Sequence, residues 1–382
     1  MRKWFIDNLR WIVIFLLIPY HAAQAFNVWG EMNYISFSPN KVISSLTVSL
    51  SPYYMPLMFL LAGMSTRYAL KKRTYGQFVA ERIKRLLVPF LFGTLFFCPI
   101  LSYLGDKNNN GYQGGFFAHY KVFFTRWTDL AGFDGGFNVG QFWFLYFLFI
   151  ISLVGLGIIG LVNSVKADRD SNNVEDNDGG KDNDGGKDND GSKEMNGRVL
   201  PFPVVCLFVI PLPFLYDILS IGGKSFAEYL YIFLIGYYVL ADDRIIDKAA
   251  RYRYITLGLG LIACITNVYM FIWSGKDFGT WNIIAKAFAE WFMILALIGI
   301  GKRRLDMTNK TFEFMSRRSF LIFSIHFVWV VLFQGWFSGW LGNSTVLIFF
   351  VPIVCSYIVT FICSEIAYHI PVLCFLMGTK PK

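Results

Sequence analysis

Two histidines in this chain sit where hydrocarbon is expected. His21 follows Arg10 by eleven residues inside an unbroken apolar run. On a helix that is roughly 16 Å along the axis, so if Arg10 marks a membrane interface, His21 lies near the centre of a bilayer core about 30 Å thick. A neutral imidazole at that depth can take up or release a proton near neutral pH, which suits a general base. The bland alternative, a histidine tied to a neighbouring helix for packing, fits the position equally well. His326 follows Arg318 by eight residues, roughly 12 Å, which brings it to a similar depth.

Cations supply the second kind of chemistry. Arg82 and Arg85 are spaced i, i+3, on one face of a helix at the same membrane edge as Arg10. Three guanidiniums there could clamp a phosphate or pyrophosphate, although ordinary charge anchoring at a membrane edge explains them as well. Lys286 and Glu290, spaced i, i+4, are expected to neutralise each other inside the membrane. His369 and Glu365 fall near the end of the last apolar segment, and His119 falls in an outer loop, where solvation is expected.

The elements that must hold these groups follow from composition. Of 382 residues, 55% are hydrophobic and only 16% charged, which excludes a water-soluble surface. Runs of about 20 apolar residues fall at 9–27, 46–70, 86–104, 140–163, 199–217, 226–241, 254–273, 281–300, 319–338 and 345–367. The expectation is an all-α integral membrane bundle of about ten helices, the spans at 226–241 and 281–300 being the weakest. Charge sets its direction. Outer segments carry only Lys41, Lys107, Lys121, Arg126, Lys224 and Lys276; apart from Lys286, the remaining Lys and Arg fall on the other side. By the positive-inside rule both termini are cytoplasmic. The formal charge of +9 thus faces anionic headgroups, and nucleic acid is not an expected partner. No cleavable signal peptide is expected, because the first apolar run is too long and lacks a small-residue cleavage pattern.

One membrane domain results, with helices one to four in 1–165, a disordered acidic and Gly-rich cytoplasmic linker at 166–197, and the remaining helices in 198–382. The Asp-Asn-Asp triplets at 176–178, 182–184 and 188–190 lack the glutamate and flanking helices of a calcium loop. The six cysteines lie in apolar stretches without CxxC spacing, so neither a metal site nor a disulfide framework is expected. The aromatic loop from about 106 to 140 suits a membrane belt, with a subset of its rings free to bind an acceptor. No phosphate loop, HExxH or GxSxG motif is present.

Five ordered landmarks resemble the acyltransferase-3 family of integral membrane O-acyltransferases. They are Ile6-Asp7-Asn8-Leu9-Arg10 followed by His21, the segment Met55 to Met64, Glu81 to Pro89 with its Arg-x-x-Arg, Trp143-Phe144-Leu145, and Ser319 to Phe327. In style the chain is similar to stand-alone members from Gram-positive bacteria. The resemblance implies transfer of an acyl group, often acetyl, from cytoplasmic acyl-CoA (acetyl-CoA) to an acceptor such as a cell-surface glycan or lipid-linked carbohydrate, with no metal. Carried over by position, His21 is the catalytic residue and Arg10 acts with it. Arg82 and Arg85 hold the CoA phosphates, and Asp7, His326 and Gln141 support the site. Gln141 stands where family members often have His, and Ala62 where Ser is usual, so the acceptor side is expected to differ. A transporter or flippase is the rival reading, since buried charges also line substrate paths. It calls for an internal repeat, and none is evident.

Overall fold

The computed structural model describes residues 2–128, 130–175, 199–342 and 344–379. Most of the described chain is helical. Helices α1 (Trp4–Gln24) and α2 (Lys41–Leu70) are followed by a composite span made of α3 (Tyr75–Arg82), a π turn (Ile83–Leu87), α4 (Val88–Phe96) and α5 (Cys98–Asn109). After α6 (Phe116–Thr125) come α7 (Trp143–Glu175), α8 (Phe202–Cys206) and α9 (Leu212–Leu215). A two-stranded hairpin, β1 (Ser220–Ile221) and β2 (Lys224–Ser225), leads into α10 (Phe226–Tyr238). Helices α11 (Asp243–Val268), α12 (Thr280–Arg304), α13 (Lys310–Ser338), α14 (Thr345–Tyr368) and α15 (Pro371–Leu376) complete the fold.

Among the described residues, eight segments are long and apolar enough to cross a membrane, and they coincide with eight of the ten expected spans. The other two are shorter. The expected span at 226–241 forms the 13-residue α10. That at 199–217 is an interrupted helix, because Pro201, Pro203, Pro211 and Pro213 deprive it of amide donors. Side chains from its neighbours take up carbonyls along it. Lys248 Nζ donates to Leu200 O at 2.9 Å, Trp291 Nε1 to Val205 O at 3.0 Å and Tyr231 Oη to Phe208 O at 3.0 Å. The span at 281–300, weak in sequence because of its two charges, is by contrast a regular 25-residue helix. Helix α7 continues through Glu175, so residues 166–175 are helical where a linker was expected; the rest of that segment, with the acidic triplets, lies outside the described residues.

Burial sorts the helices into layers. Helices α2, α12 and α13 are mostly buried, whereas α11 and α14 show long exposed apolar stripes. On α14 the stripe runs Phe350, Val354, Ile358, Ile362, Ile366, each more than half exposed, a four-residue spacing that keeps one face toward lipid. At the centre α2 crosses α10 with backbones in close approach. A side chain on Gly63 would fall on the carbonyl of Phe233, and one on Gly236 on the carbonyl of Leu60. Small residues of this kind let membrane helices touch backbone to backbone.

The start of α1 meets the end of α12, and α13 is tied to the end of α14. Asn8 Nδ2 donates to the carbonyls of Leu305 (2.7 Å) and Met307 (2.9 Å), satisfying groups left open where α12 stops. Arg318 near the start of α13 forms a bidentate pair with Glu365 at the end of α14. Deeper in the bundle, the expected Lys286–Glu290 pair does not form. Glu290 lies within hydrogen-bonding reach of Glu228 on α10, both carboxyls are buried, and Lys286 rests its ammonium over the Tyr216 ring at 4.1 Å. The two carboxyls bring α10 and α12 together at a point that sequence spacing could not reveal.

Replacing Gly63 by Val should therefore destabilise the protein by about 1–3 kcal/mol through overpacking, read as a lower thermal midpoint in detergent. Gly157→Val, at a glycine with open space around it, should leave that midpoint nearly unchanged.

Candidate active site

His21 belongs to a helix whose backbone is tied down from three sides. Pro19 cannot donate to the Phe15 carbonyl, and Tyr357 Oη of α14 donates to it instead at 2.8 Å. Tyr54 Oη of α2 donates to Val13 O at 2.7 Å, and Gln334 Nε2 of α13 to Ala22 O at 2.9 Å. Within that frame, His21 Nδ1 lies 2.8 Å from Gln24 Oε1. The amide oxygen can only accept, so Nδ1 carries the proton and Nε2 presents its lone pair. The ring stacks on Phe327 (centroids 4.1 Å apart, 25° between planes), and the His326 ring lies 5.3 Å away.

His326 is oriented just as firmly. Its Nδ1 donates to the carbonyls of Phe323 (2.8 Å) and Ile322 (3.1 Å), which leaves Nε2 a buried acceptor without a partner among the described residues. The histidines predicted to share a depth are thus neighbours, each held in its Nδ1–H tautomer by a local bond and each with a free basic nitrogen.

His21 opens onto a cavity of about 460 Å³. Tyr20 and Gln24 of α1, Tyr54 and Met55 of α2, Phe327 of α13 and Trp143 of α7 form much of its wall. Gln141, on the 3₁₀ turn before α7, also lines it. Its Nε2 donates to Ser324 O at 3.0 Å, two residues before His326, and its buried Oε1 has no partner among the described residues. The roof comes from loops, including Leu130, Ala131 and Phe133 of the long aromatic loop.

Toward the start of α1, the arginines gather. Arg10 pairs with Asp7 at 3.3 Å and donates to Leu61 O at 3.0 Å and to the Ser65 hydroxyl. Arg82 Nη2 donates to Thr66 Oγ1 at 3.1 Å, with its guanidinium over the Phe78 ring. The charges of Arg10, Arg82 and Arg85 act on one another. Arg2 and Arg10 share Asp7, Arg73 and Arg85 share Glu81, and Arg82 has no carboxylate within 4 Å among the described residues. Five guanidiniums thus divide two carboxylates, which leaves a local surplus of positive charge suited to a polyanion.

A family model described as an acyltransferase domain, Acyl_transf_3, matches residues 3–369. The chain belongs to the acyltransferase-3 family. It is a multi-pass membrane acyltransferase. No match is found among curated proteins or among solved structures.

In this acyltransferase the family's landmark residues fall into two groups. His21, His326 and Gln141 meet at or beside the cavity, whereas Arg10, Asp7, Arg82 and Arg85 form the cluster at the other end of α1 and do not line it. Arg82 and Arg85 do not share one face as expected. The π turn that begins at Ile83 alters the helical spacing between them, so Arg82 turns inward to Thr66 while Arg85, about half exposed, reaches Glu81. Gln24, which fixes the His21 tautomer, is a residue the sequence reading passed over, although its i+3 spacing on the same helix was a usable signal.

His119 also departs from expectation. It is buried, with Nε2 donating to Asp106 Oδ2 at 3.0 Å, between the rings of Tyr103 and Tyr112. Asp106 accepts as well from Arg126 (3.1 Å) and Asn110 (2.8 Å), pinning the start of the aromatic loop to the end of α5. Of the loop aromatics proposed as acceptor contacts, Phe133 reaches the cavity, while Trp127 stacks on Phe137 at 4.2 Å.

Burial lowers the His119 pKa below its ordinary value; Asp106 opposes this and Arg126 adds to it. His119 Nδ1 is buried without a partner among the described residues, so protonation would create a donor that none of them accepts. A histidine held neutral in this way stabilises the fold fully above its unfolded pKa of about 6.5 and loses that contribution as pH falls through the lowered folded value. Hydrogen exchange across residues 106–140 should therefore accelerate on acidification below about pH 6. His119→Gln should flatten that dependence.

Proposed function

We propose that the enzyme transfers an acyl group, acetyl in the simplest case, from acyl-CoA on the cytoplasmic side to a hydroxyl of a cell-surface glycan or other extracytoplasmic acceptor. The single observation that carries this reading is the His21 arrangement, in which an imidazole faces a cavity with its Nδ1 proton committed to Gln24 and its Nε2 free. In the cavity an acceptor hydroxyl gives its proton to His21 Nε2 as its oxygen attacks the thioester carbonyl. The tetrahedral intermediate collapses with cleavage of the C–S bond, and the CoA thiolate takes the proton back from the imidazolium. Atoms and charge balance, with the acceptor ester and free CoA as products.

The arginine surplus supports the identity of the donor. CoA carries its phosphates at one end and its thioester at the other, joined by a long flexible arm. Arg10 and His21 are separated by eleven residues of one helix, roughly 16 Å, so phosphates held at Arg10, Arg82 and Arg85 leave the arm to reach His21 along the bundle. The excess of Lys and Arg in segments joined to this end supports its assignment to the cytoplasmic face of the cell membrane. The rival transporter reading has no matching observation.

His21→Ala, folded and inserted, should lose transfer by about 10²–10⁴-fold, the usual contribution of a positioned general base, in an assay of free thiol released from acetyl-CoA in the presence of acceptor. Transfer at the parental rate would refute the role. Separately, CoA should raise the thermal midpoint of detergent-solubilised protein, by a free energy of about 2.7 kcal/mol at a hundredfold excess over Kd. Arg82→Ala should remove most of that shift and Arg85→Ala part of it, because Arg85 is already engaged by Glu81.

A further inference from the structure

Lys224 is an unusual residue to find beside this cavity. It belongs to the few Lys and Arg on the side that the positive-inside pattern leaves poor in cations, so topology does not account for it. Its placement is built with care. The hairpin pairs Ile221 with Lys224 across the turn Gly222-Gly223, whose φ angles of +56° and +71° are the left-handed values that a tight two-residue turn needs and glycine accepts freely. The next residue, Ser225, caps α10 by accepting from Glu228 N and donates its hydroxyl to Leu215 O and Ile218 O. Lys224 is therefore fixed between a rigid turn and a locked helix start.

Among the described residues that line the cavity, Lys224 is the only lysine or arginine. Its Nζ donates to Gly222 O at 3.1 Å and lies 5.1 Å from the centre of the Trp143 ring. No carboxylate lies within 4 Å of it among the described residues, and its charge acts on the His21 imidazole across the cavity. The other charged residue of the wall, Glu31, acts on Lys224 from a longer distance and is itself held by Trp29 Nε1 at 2.9 Å. Burial pushes the Lys224 ammonium below the ordinary lysine value, with Glu31 opposing and Lys286 adding to the shift.

An ammonium that is partly desolvated, rigidly carried and unmatched by a carboxylate is a poor choice for structure alone. Two of its three N–H donors remain for a ligand. The cavity thus has a polarity: Lys224 attracts an anion, Glu31 repels one, aromatic rings including Trp143 and Tyr20 suit a sugar ring, and His21 Nε2 waits for a hydroxyl. We propose that Lys224 is an anion subsite of the acceptor cavity, and that the acceptor is a hydroxylated, sugar-like molecule bearing a carboxylate or phosphate. This rests on the reading of the cavity as the acceptor site.

Equilibrium binding to the detergent-solubilised full chain tests it with three probes, methyl β-D-glucoside, methyl β-D-glucuronide and the glucoside 6-phosphate. At low salt at least one charged glycoside should bind about tenfold more tightly than the neutral one, a difference of the size that one partly desolvated ion pair supplies. The stronger of the two identifies carboxylate or phosphate as the anion. Lys224→Met should abolish the preference, Lys224→Arg should keep most of it, and added salt should weaken it. His21→Ala should keep the preference while losing transfer. Equal binding of neutral and charged probes, or a preference that survives Lys224→Met, overturns the subsite and leaves the His21 reading standing. A Lys224-dependent preference together with undiminished transfer by His21→Ala would do the reverse.

Discussion

Hydrocarbon offers no water to a backbone carbonyl, and this one constraint organises the bundle. A proline inside a helix releases a carbonyl four residues earlier, and at Pro19 and Pro52 the fold answers with a side chain from another helix. Pro19 releases Phe15 O to Tyr357, and Pro52 releases Val48 O to Asn267 at 3.4 Å. The broken segment around α8 and α9 extends the pattern, with donors from α10, α11 and α12. These cross-links do more than repair helices. Together with the bonds from Tyr54 to Val13 O and from Gln334 to Ala22 O, the Tyr357 bond holds the turns of α1 around His21, so groups that bond the backbone also set the orientation of the imidazole that faces the cavity.

Charge is distributed under the same constraint. Guanidiniums collect where the helices emerge, each using carbonyls, hydroxyls or a shared carboxylate, while the interior holds two imidazoles, an amide, a pair of carboxyls and the Lys286 ammonium over Tyr216. Within a single helix, α1, the chemistry changes from a cation-rich region at Arg10 to an imidazole nitrogen facing the cavity at His21. A donor with phosphates at one end and a reactive carbonyl at the other matches that gradient.

Much of this was legible in the sequence. Hydrophobic run length located eight long helices, and counting residues inward from Arg10 and Arg318 brought His21 and His326 to the same level, because rise per residue is fixed whatever the packing. What failed did so for tertiary reasons. Residues 199–217 are apolar enough to span, but hydropathy does not weigh prolines. Lys286 and Glu290 have the right spacing for a pair, yet Glu228 from another helix competes successfully. His119 looked solvated because loops usually are, whereas Asp106 gives it a buried partner. The shared face of Arg82 and Arg85 assumed α-helical spacing that the π turn removes. Gln24 alone was missed with its signal in plain view.

Helix α2, like α1, touches both regions. Ser51, Tyr54 and Met55 border the cavity, while Leu61, Ser65 and Thr66 receive Arg10 and Arg82. About 18 Å of rod, twelve residues from Tyr54 to Thr66, joins them, and the Gly63 contact with α10 anchors the rod near the arginines. Pro52 and Pro56 interrupt its hydrogen-bond ladder at the cavity end. The cavity wall and the arginine cluster are thus built partly on one continuous helix, with its two prolines at the cavity end and its tightest backbone contact at the arginine end.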